Sequence, residues 1–158
     1  MVERDIDSVV AAHGVWLETD GRQGERARLE NSNLSGKTLA GVALGSAHLG
    51  RADLSGADLS GARIDRADLR RADLSGCQAS GASMVVAHLR YARLRGADLS
   101  GANLKGADLA AADLTGAKLD DADFTDAKLL GADLAGTDLT AVRGLVRAQL
   151  RSVRRDAS

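Results

Sequence analysis

Ala52-Asp53-Leu54-Ser55-Gly56 and Ala97-Asp98-Leu99-Ser100-Gly101 are two copies of one five-residue unit, and their reading decides the fold. From Leu29 to Leu139 every fifth residue is apolar. It is Leu at 19 of these 23 positions, the others being Ile64, Ala79, Met84 and Phe124. Two residues earlier stands Ala, except at Ser32, Lys37, Val42, Cys77 and Thr137. Two residues later Gly occurs in 12 of the 23 units, and no insertion breaks the phase.

A period of five fits neither regular element. A helix of 3.6 residues per turn spreads such leucines around its surface, and a straight strand alternates them between faces. Within one unit Ala and Leu are two apart, so both point inward on an extended segment. The next inward Ala is three residues on, so the chain turns once per unit, with Gly or a small or polar residue at the corner. Four right-angle turns close a square coil of 20 residues, and stacked coils bond to one another like strands of a sheet. The reading is an all-β solenoid with Leu54, Leu59, Leu69, Leu74, Leu99, Leu104, Leu109 and Leu114 among its central residues. At roughly 4.8 Å per coil the column is about 28 Å tall.

Composition agrees with such a core. Aromatics make up 2% of the 158 residues (Trp16, Tyr91 and Phe124), and there is no proline. The net charge of -1 argues against bulk electrostatic binding of nucleic acid or anionic membrane. No stretch approaches 18 apolar residues, and the Met1-Val-Glu-Arg-Asp start lacks a signal-peptide pattern, so a cytoplasmic location is expected. The single cysteine, Cys77, sits at an inward position and is expected to pack rather than react.

The pattern A(D/N)LXX over about three-quarters of the chain resembles the pentapeptide-repeat family. The resemblance implies a right-handed quadrilateral β-helix, here of about 23 units. The start, His13-Gly-Val-Trp16-Leu17-Glu-Thr-Asp-Gly21-Arg-Gln-Gly24-Glu-Arg26-Ala27, also resembles a leader common in bacterial members. The expected organisation is an N-terminal capping helix and loop over 1–26, the repeat column over 27–141, and a basic amphipathic helix over 142–158. Ile6, Val9, Val10, His13, Trp16 and Leu17 recur at helical spacing in the first segment, with His13 expected as a satisfied, partly buried side chain. In the last segment Leu145, Val146, Leu150 and Val153 share one side of a helical wheel and five arginines the other. That stripe is expected either to cap the last coil or to form a homodimer seam.

Units four apart share a face, so exterior charge can be tallied by face. The face of Leu29, Leu49, Leu69, Leu89, Leu109 and Leu129 (the Leu49 face) is +3. The next two, the Leu54 and Leu59 faces, are -2 and -3, and the fourth, the Ile64 face, is neutral. The acidic faces carry Asp53, Asp58, Asp73, Asp98, Asp113, Asp133 and Asp138. On the basic face Arg51, Arg70, Arg71 and Arg90 form a patch with Tyr91 at its rim, an arrangement that holds nucleic-acid strands elsewhere. Val85, Val86, Tyr91 and Leu130 are outward apolar residues and candidate partner contacts. His48, Asp68 and His88 form an outward column, too widely spaced and too open to hold zinc. A convex prism offers no water-excluding pocket, so no catalytic residue, metal or cofactor is expected.

Two functions fit. One is a rigid, non-catalytic protein-interaction module. The other, implied by the resemblance, is a DNA mimic that modulates a type II topoisomerase (gyrase or topoisomerase IV) and gives drug or toxin resistance. Charge weakens the second: duplex DNA carries one charge per about 1.7 Å, hence about 16 over the column, against a net -5 on the two acidic faces. Direct nucleic-acid binding through the Arg patch is a third reading.

Overall fold

The computed structural model describes residues 5–156; residues 1–4 and 157–158 of the expected terminal segments lie outside the described residues. Residue 28 pairs in parallel with 48, 48 with 68, 68 with 88, 88 with 108 and 108 with 128, and the same 20-residue step starts from 33, 38 and 43. Four pairing positions per 20 residues make a four-sided coil. The residues between them form the corners.

One unit accounts for all five of its backbone N–H groups. Leu54 N donates to Asp73 O at 2.7 Å and Gly56 N to Ser75 O at 2.9 Å, both in the following coil. Asp53 N donates to Ser32 O of the preceding coil at 2.9 Å, and Ala57 N closes a β-turn on Leu54 O at 3.0 Å. The fifth, Ser55 N, has no backbone acceptor and donates to Asp53 Oδ1 at 3.0 Å. The same bond recurs on Asp58, Asp73, Asp98, Asp113, Asp133 and Asp138. This is the physical reason for the recurring Asp or Asn before the central residue.

Every corner from Asn31 to Gly136 has its third turn residue at positive φ, the geometry of a type II turn. Inside, the central column is sealed: Leu54, Leu59, Leu69, Leu74, Leu99, Leu104, Leu109 and Leu114 are buried, as are Cys77, Ala79, Met84 and Phe124. Each fully buried Leu contributes about 1.5–3 kcal/mol. Lys37, at an inward position of the first coil, is exposed.

Helix α1 spans Ile6–Glu18, with Asp5 accepting from Asp7 N and Ser8 N at its start. Ile6, Val9 and Val10 pack on the core. His13 is fully buried and stacks on Trp16 with ring centroids 5.4 Å apart. Its Nδ1 accepts from Ala27 N at 3.1 Å, and its Nε2 lies 3.0 Å from Gly45 O. One tautomer satisfies both contacts, with the proton on Nε2. In later units the amide matching Ala27 N closes the turn of its own coil, as Ala47 N does on Leu44 O, and the carbonyl matching Gly45 O accepts from the preceding coil, as Asp65 O does from Ser46 N; His13 replaces one bond of each kind.

The expected helix over 142–158 is not the one that forms. Helix α2 spans only Arg147–Leu150, and the ladder runs past residue 141, with Asp123 paired to Arg143 and Asp133 to Arg154. The reason is the open edge of the last coil. Gly131 N donates to Ser152 O at 2.9 Å, Leu134 N to Arg154 O and Arg154 N to Ala132 O, both at 2.8 Å; a continuous helix would forgo these bonds. Leu145, Leu150 and Val153 therefore pack on the chain's own core, while Val146 is 57% exposed. The four do not form one helical stripe. Gln149 mirrors His13: its Nε2 donates to Ala127 O at 2.9 Å and Phe124 O at 3.0 Å. In earlier coils the carbonyl matching Ala127 O takes a backbone N–H, as Ala107 O does from Lys128 N.

Candidate functional site

The four corner columns differ in what occupies the left-handed position. Along the edge between the Leu54 and Leu59 faces it is Gly36, Gly56, Gly76, Gly96, Gly116 and Gly136, without exception. Along the other edge of the Leu59 face it is Gly41, Gly61, Gly81 and Gly101, then Asp121. The edges of the opposite, Leu49 face read otherwise. One carries Ser46, Arg66, Val86, Gly106 and Asp126; the other carries Asn31, Arg51, Arg71, Tyr91, Ala111 and Gly131. A side chain in this conformation costs of order 1–2 kcal/mol, and a β-branched residue such as Val86, at φ 56°, is a steric outlier.

The Leu49 face also gives up the carboxylates that complete the turns. At the paired positions across it stand Arg28, His48, Asp68, His88, Asp108 and Lys128, whereas the Leu54 face has Asn33, Asp53, Asp73, Asp113 and Asp133 with only Arg93 as an exception. The left-handed side chains are concentrated on the two edges of this face and point outward, where the fold does not use them; the loss of carboxylates is shared with the Ile64 face, which has Ala43, Arg63 and Ser83 at its paired positions.

The candidate contacts lie on this face. Val86 is 44% and Tyr91 52% exposed; they occupy opposite ends of one rung, with exposed His88 between them. Val85 is half-buried and lines a groove of about 480 Å³ with Val86, Leu17, Asp65 and Arg66. Asp65 fixes this corner by accepting from Val85 N at 2.9 Å and Ser83 Oγ at 2.5 Å. At the other edge a groove of about 470 Å³ is lined by Arg51, Arg70, Arg71, Arg90, Tyr91, Glu30 and Asp68. The guanidinium carbons of Arg71 and Arg90 lie 5.4 and 5.9 Å from the Tyr91 ring centre. Leu130, 70% exposed, lies further along the same edge in a separate groove with Arg90, Lys128 and Gln149.

Charges on the two sides are organised differently. On the acidic faces every Asp named above has one oxygen bonded within its own turn, and Arg93, Arg95 and Lys118 neutralise Asp73, Asp113 and Asp98 at 3.2, 3.7 and 3.8 Å. The bond to Ser100 holds the Asp98 carboxyl below its ordinary value, and the bond to Ser60 does the same for Asp58. On the Leu49 face Arg70 bonds both oxygens of Asp68 at 2.8 and 2.7 Å, which holds the Asp68 carboxyl low, and Arg90 lies 3.7 Å from Asp108. Among the described residues no ion pair holds Arg51 or Arg71.

His48, Asp68 and His88 stack by single ladder steps, and among the described residues no group of His, Cys, Asp or Glu is arranged to hold a metal. Burial pushes the Cys77 thiol up to about 12, so it is no nucleophile. Sequence reasoning singled out the arginine patch and the outward apolar residues but missed the corner asymmetry. Tallying the residue two places after each Leu, face by face, reveals it.

The fold thus defines a four-sided parallel β-solenoid with one face set apart from its repeat. The model of pentapeptide repeats matches the chain in 8 copies, over residues 25–61, 38–76, 67–106 and 107–143. The chain belongs to the pentapeptide repeat family, whose members form right-handed β-helices. A pentapeptide repeat protein of the Arabidopsis thaliana thylakoid lumen is 34% identical over 61% of this chain and 70% of its own, with a TM-score of 0.57. Rfr23 of the cyanobacterium Cyanothece 51142 is 26% identical over 84% of this chain and 97% of its own, at a TM-score of 0.67. QnrB1, a plasmid-mediated fluoroquinolone resistance protein, is 19% identical over 82% of this chain and 84% of its own, with a TM-score of 0.37. Among curated proteins the chain has no match.

Proposed function

We propose that the chain is a rigid, non-catalytic protein-interaction module acting in the cytoplasm, and that its contact surface is the Leu49 face with Val85, Val86, Tyr91 and Leu130. The observation that carries this reading is the placement of Val86, Tyr91, Arg51, Arg71 and Arg66 on left-handed corners, where the same fold uses glycine on the opposite side. Backbone strain that the fold does not require supports a role for the side chains that cause it. The grooves along this face are shallow and open, suited to a partner's surface rather than to enclosing a substrate.

The DNA-mimic reading would place the contact on the Leu54 and Leu59 faces, at Asp53, Asp58, Asp133 and Asp138, those of the seven aspartates named for these faces that have no cation among the described pairs. Their service to the turns gives them a structural reason to be there, which favours the first reading. A pull-down from the native cell separates the two. Val86→Gly with Tyr91→Gly is expected to lose the partners that wild type and Asp58→Asn with Asp133→Asn retain. Loss in the Asn variant alone, with an effect of wild type on gyrase supercoiling, would overturn the proposal.

A further inference from the structure

We propose that the Arg51–Arg71–Tyr91 edge binds an acidic segment of a partner protein, its carboxylates received by Arg51 and Arg71 and its chain lying along the groove beside Tyr91. This rests on the reading of the Leu49 face as the contact surface and names the chemistry of the partner.

Three observations point there. Arg51 and Arg71 occupy successive left-handed corners, at φ 58° and 61°, and the next corner of that edge is Tyr91 at 60°. Ladder geometry puts successive corners about 4.8 Å apart, so the two arginine side chains leave the backbone side by side at one edge. Second, neither has a carboxylate among the described ion pairs, whereas Arg70 and Arg90 beside them do. Like charges at that spacing repel, and an anion between them relieves the repulsion. Third, Arg71 stacks against Tyr91, which orients its planar fork for two-point bonding to a carboxylate. The 470 Å³ groove gives the bound chain a place to lie.

The same edge suits nucleic acid poorly. Glu30 and Asp68 line the groove among the arginines, so a continuous run of phosphates would pass close to fixed carboxylates. A peptide places its few acids at discrete positions and avoids them. The only aromatic side chain of the groove already has two guanidiniums within 6 Å of its ring, which leaves no free platform for a base.

The test is fluorescence anisotropy with a fluorescein-labelled hexaglutamate peptide, a labelled oligo-dT of matched length as second probe, and three proteins: wild type, Arg51→Gly/Arg71→Gly, and Arg93→Gly/Arg95→Gly. The last removes the same charge from the Leu54 face. Hexaglutamate is expected to bind wild type and the Leu54-face variant alike, and the Arg51→Gly/Arg71→Gly variant at least about tenfold more weakly, equivalent to about 1.4 kcal/mol. Binding should weaken with added salt. The glycine variant should melt no lower than wild type, which keeps loss of fold out of the result. Equal weakening in both double variants would mean diffuse electrostatics and would overturn the proposal. Absence of hexaglutamate binding, or oligo-dT binding that the Arg51→Gly/Arg71→Gly change abolishes, would overturn it too. If the Val86→Gly/Tyr91→Gly variant still loses its partners in the pull-down, only the acidic-partner assignment falls and the contact face stands.

Discussion

The two opposite faces of this column are built on the same backbone and treat it in opposite ways. The Leu59 face is bounded by corners that are glycine down to Gly136 on one edge and Gly101 on the other, so its turns are relaxed. The Leu49 face is bounded by corners that carry Arg, Tyr, Val and Ser in the same conformation. Both lie over one core, so packing cannot account for the difference. In a repeat protein, residues that agree with the repeat serve the fold. Residues that break it at an energetic cost are candidates for function. The comparison makes quantitative claims, and each can be broken by substitution.

The largest effect should be common to both faces. Leu99 lies in the central column and is fully buried. Leu99→Asp places an unpaired charge among alkyl groups at a cost of several kcal/mol, and it should unfold the column as seen by loss of the far-ultraviolet dichroism of the β-helix. A folded Leu99→Asp variant would mean that the core is not the shared support of the two faces.

Next comes a direct exchange between the faces. Gly96 and Val86 hold the same position in the turn, at φ 61° and 56°, and nothing lies within 4 Å of where a Gly96 Cβ would be. Gly96→Val therefore tests chiefly conformation, with open space at its Cβ. It should destabilise by about 1–3 kcal/mol while leaving partner binding at the Leu49 face unchanged. An unaltered melting temperature would show that the left-handed corner tolerates side chains freely, and the contrast between the faces would lose its energetic meaning.

Much of this architecture was legible from the residues. The phase of five puts Leu99 and Phe124 in the centre whatever the handedness, because inward direction follows from spacing alone. The corner strain was not legible in the same way, because Arg71 or Tyr91 carries no mark of its φ. Only the coincidence of its place with that of Gly96 reveals it. The chain end failed for a different reason. Leu145, Val146, Leu150 and Val153 have helical spacing, but the last coil offered an unpaired edge, and tertiary hydrogen bonds to Ser152 and Arg154 outweighed a weak local preference. The ends also hide their logic: nothing in the sequence marks His13 and Gln149 as partners for backbone groups that the end coils leave open.

His13 supplies a pH-dependent contrast between the N-terminal end and the rest. Burial holds its pKa below the ordinary 6.5, with the nearby Arg26 charge acting the same way and the bonds to Gly45 and Glu25 opposing. The unfolded chain then takes up a proton before the folded one does. Stability is fully present above about pH 6.5 and is lost as the pH falls below it toward the folded value. Protonation also turns the Nδ1 acceptor into a donor facing Ala27 N–H. The melting temperature should drop between pH 7 and pH 5, and hydrogen exchange should rise first at Ala27 and its neighbours. The Asp98 and Asp58 carboxyls, held low by their turn bonds, lose their contribution only as the pH falls through and below the ordinary 3.8 or so, so the two ranges are separable. A His13→Gln variant with the same slope between pH 7 and 5 would exclude His13 as the cause.

The smallest expected effect on stability is the most informative about function. Val86→Gly removes a β-branched side chain from a left-handed corner and should relieve of order 1–2 kcal/mol of strain. The new glycine returns part of that through the greater freedom of the unfolded chain, about 0.5–1 kcal/mol. Val86 Cγ2 would stand 3.4 Å from a Cβ built on Gly106, so it lies over the glycine of the next coil, and its removal gives up a little packing. The net should be a gain of about 0.5–1 kcal/mol, read as a melting temperature a few degrees higher. Paired with Tyr91→Gly, the gain should grow while the partner is lost. Stabilisation and loss of binding from the same substitution mark a residue kept for contact against the preference of the fold. A variant that binds as well as wild type and melts higher would show that the strain at this corner serves no partner, and the reading of the Leu49 face as the contact surface would have to be given up.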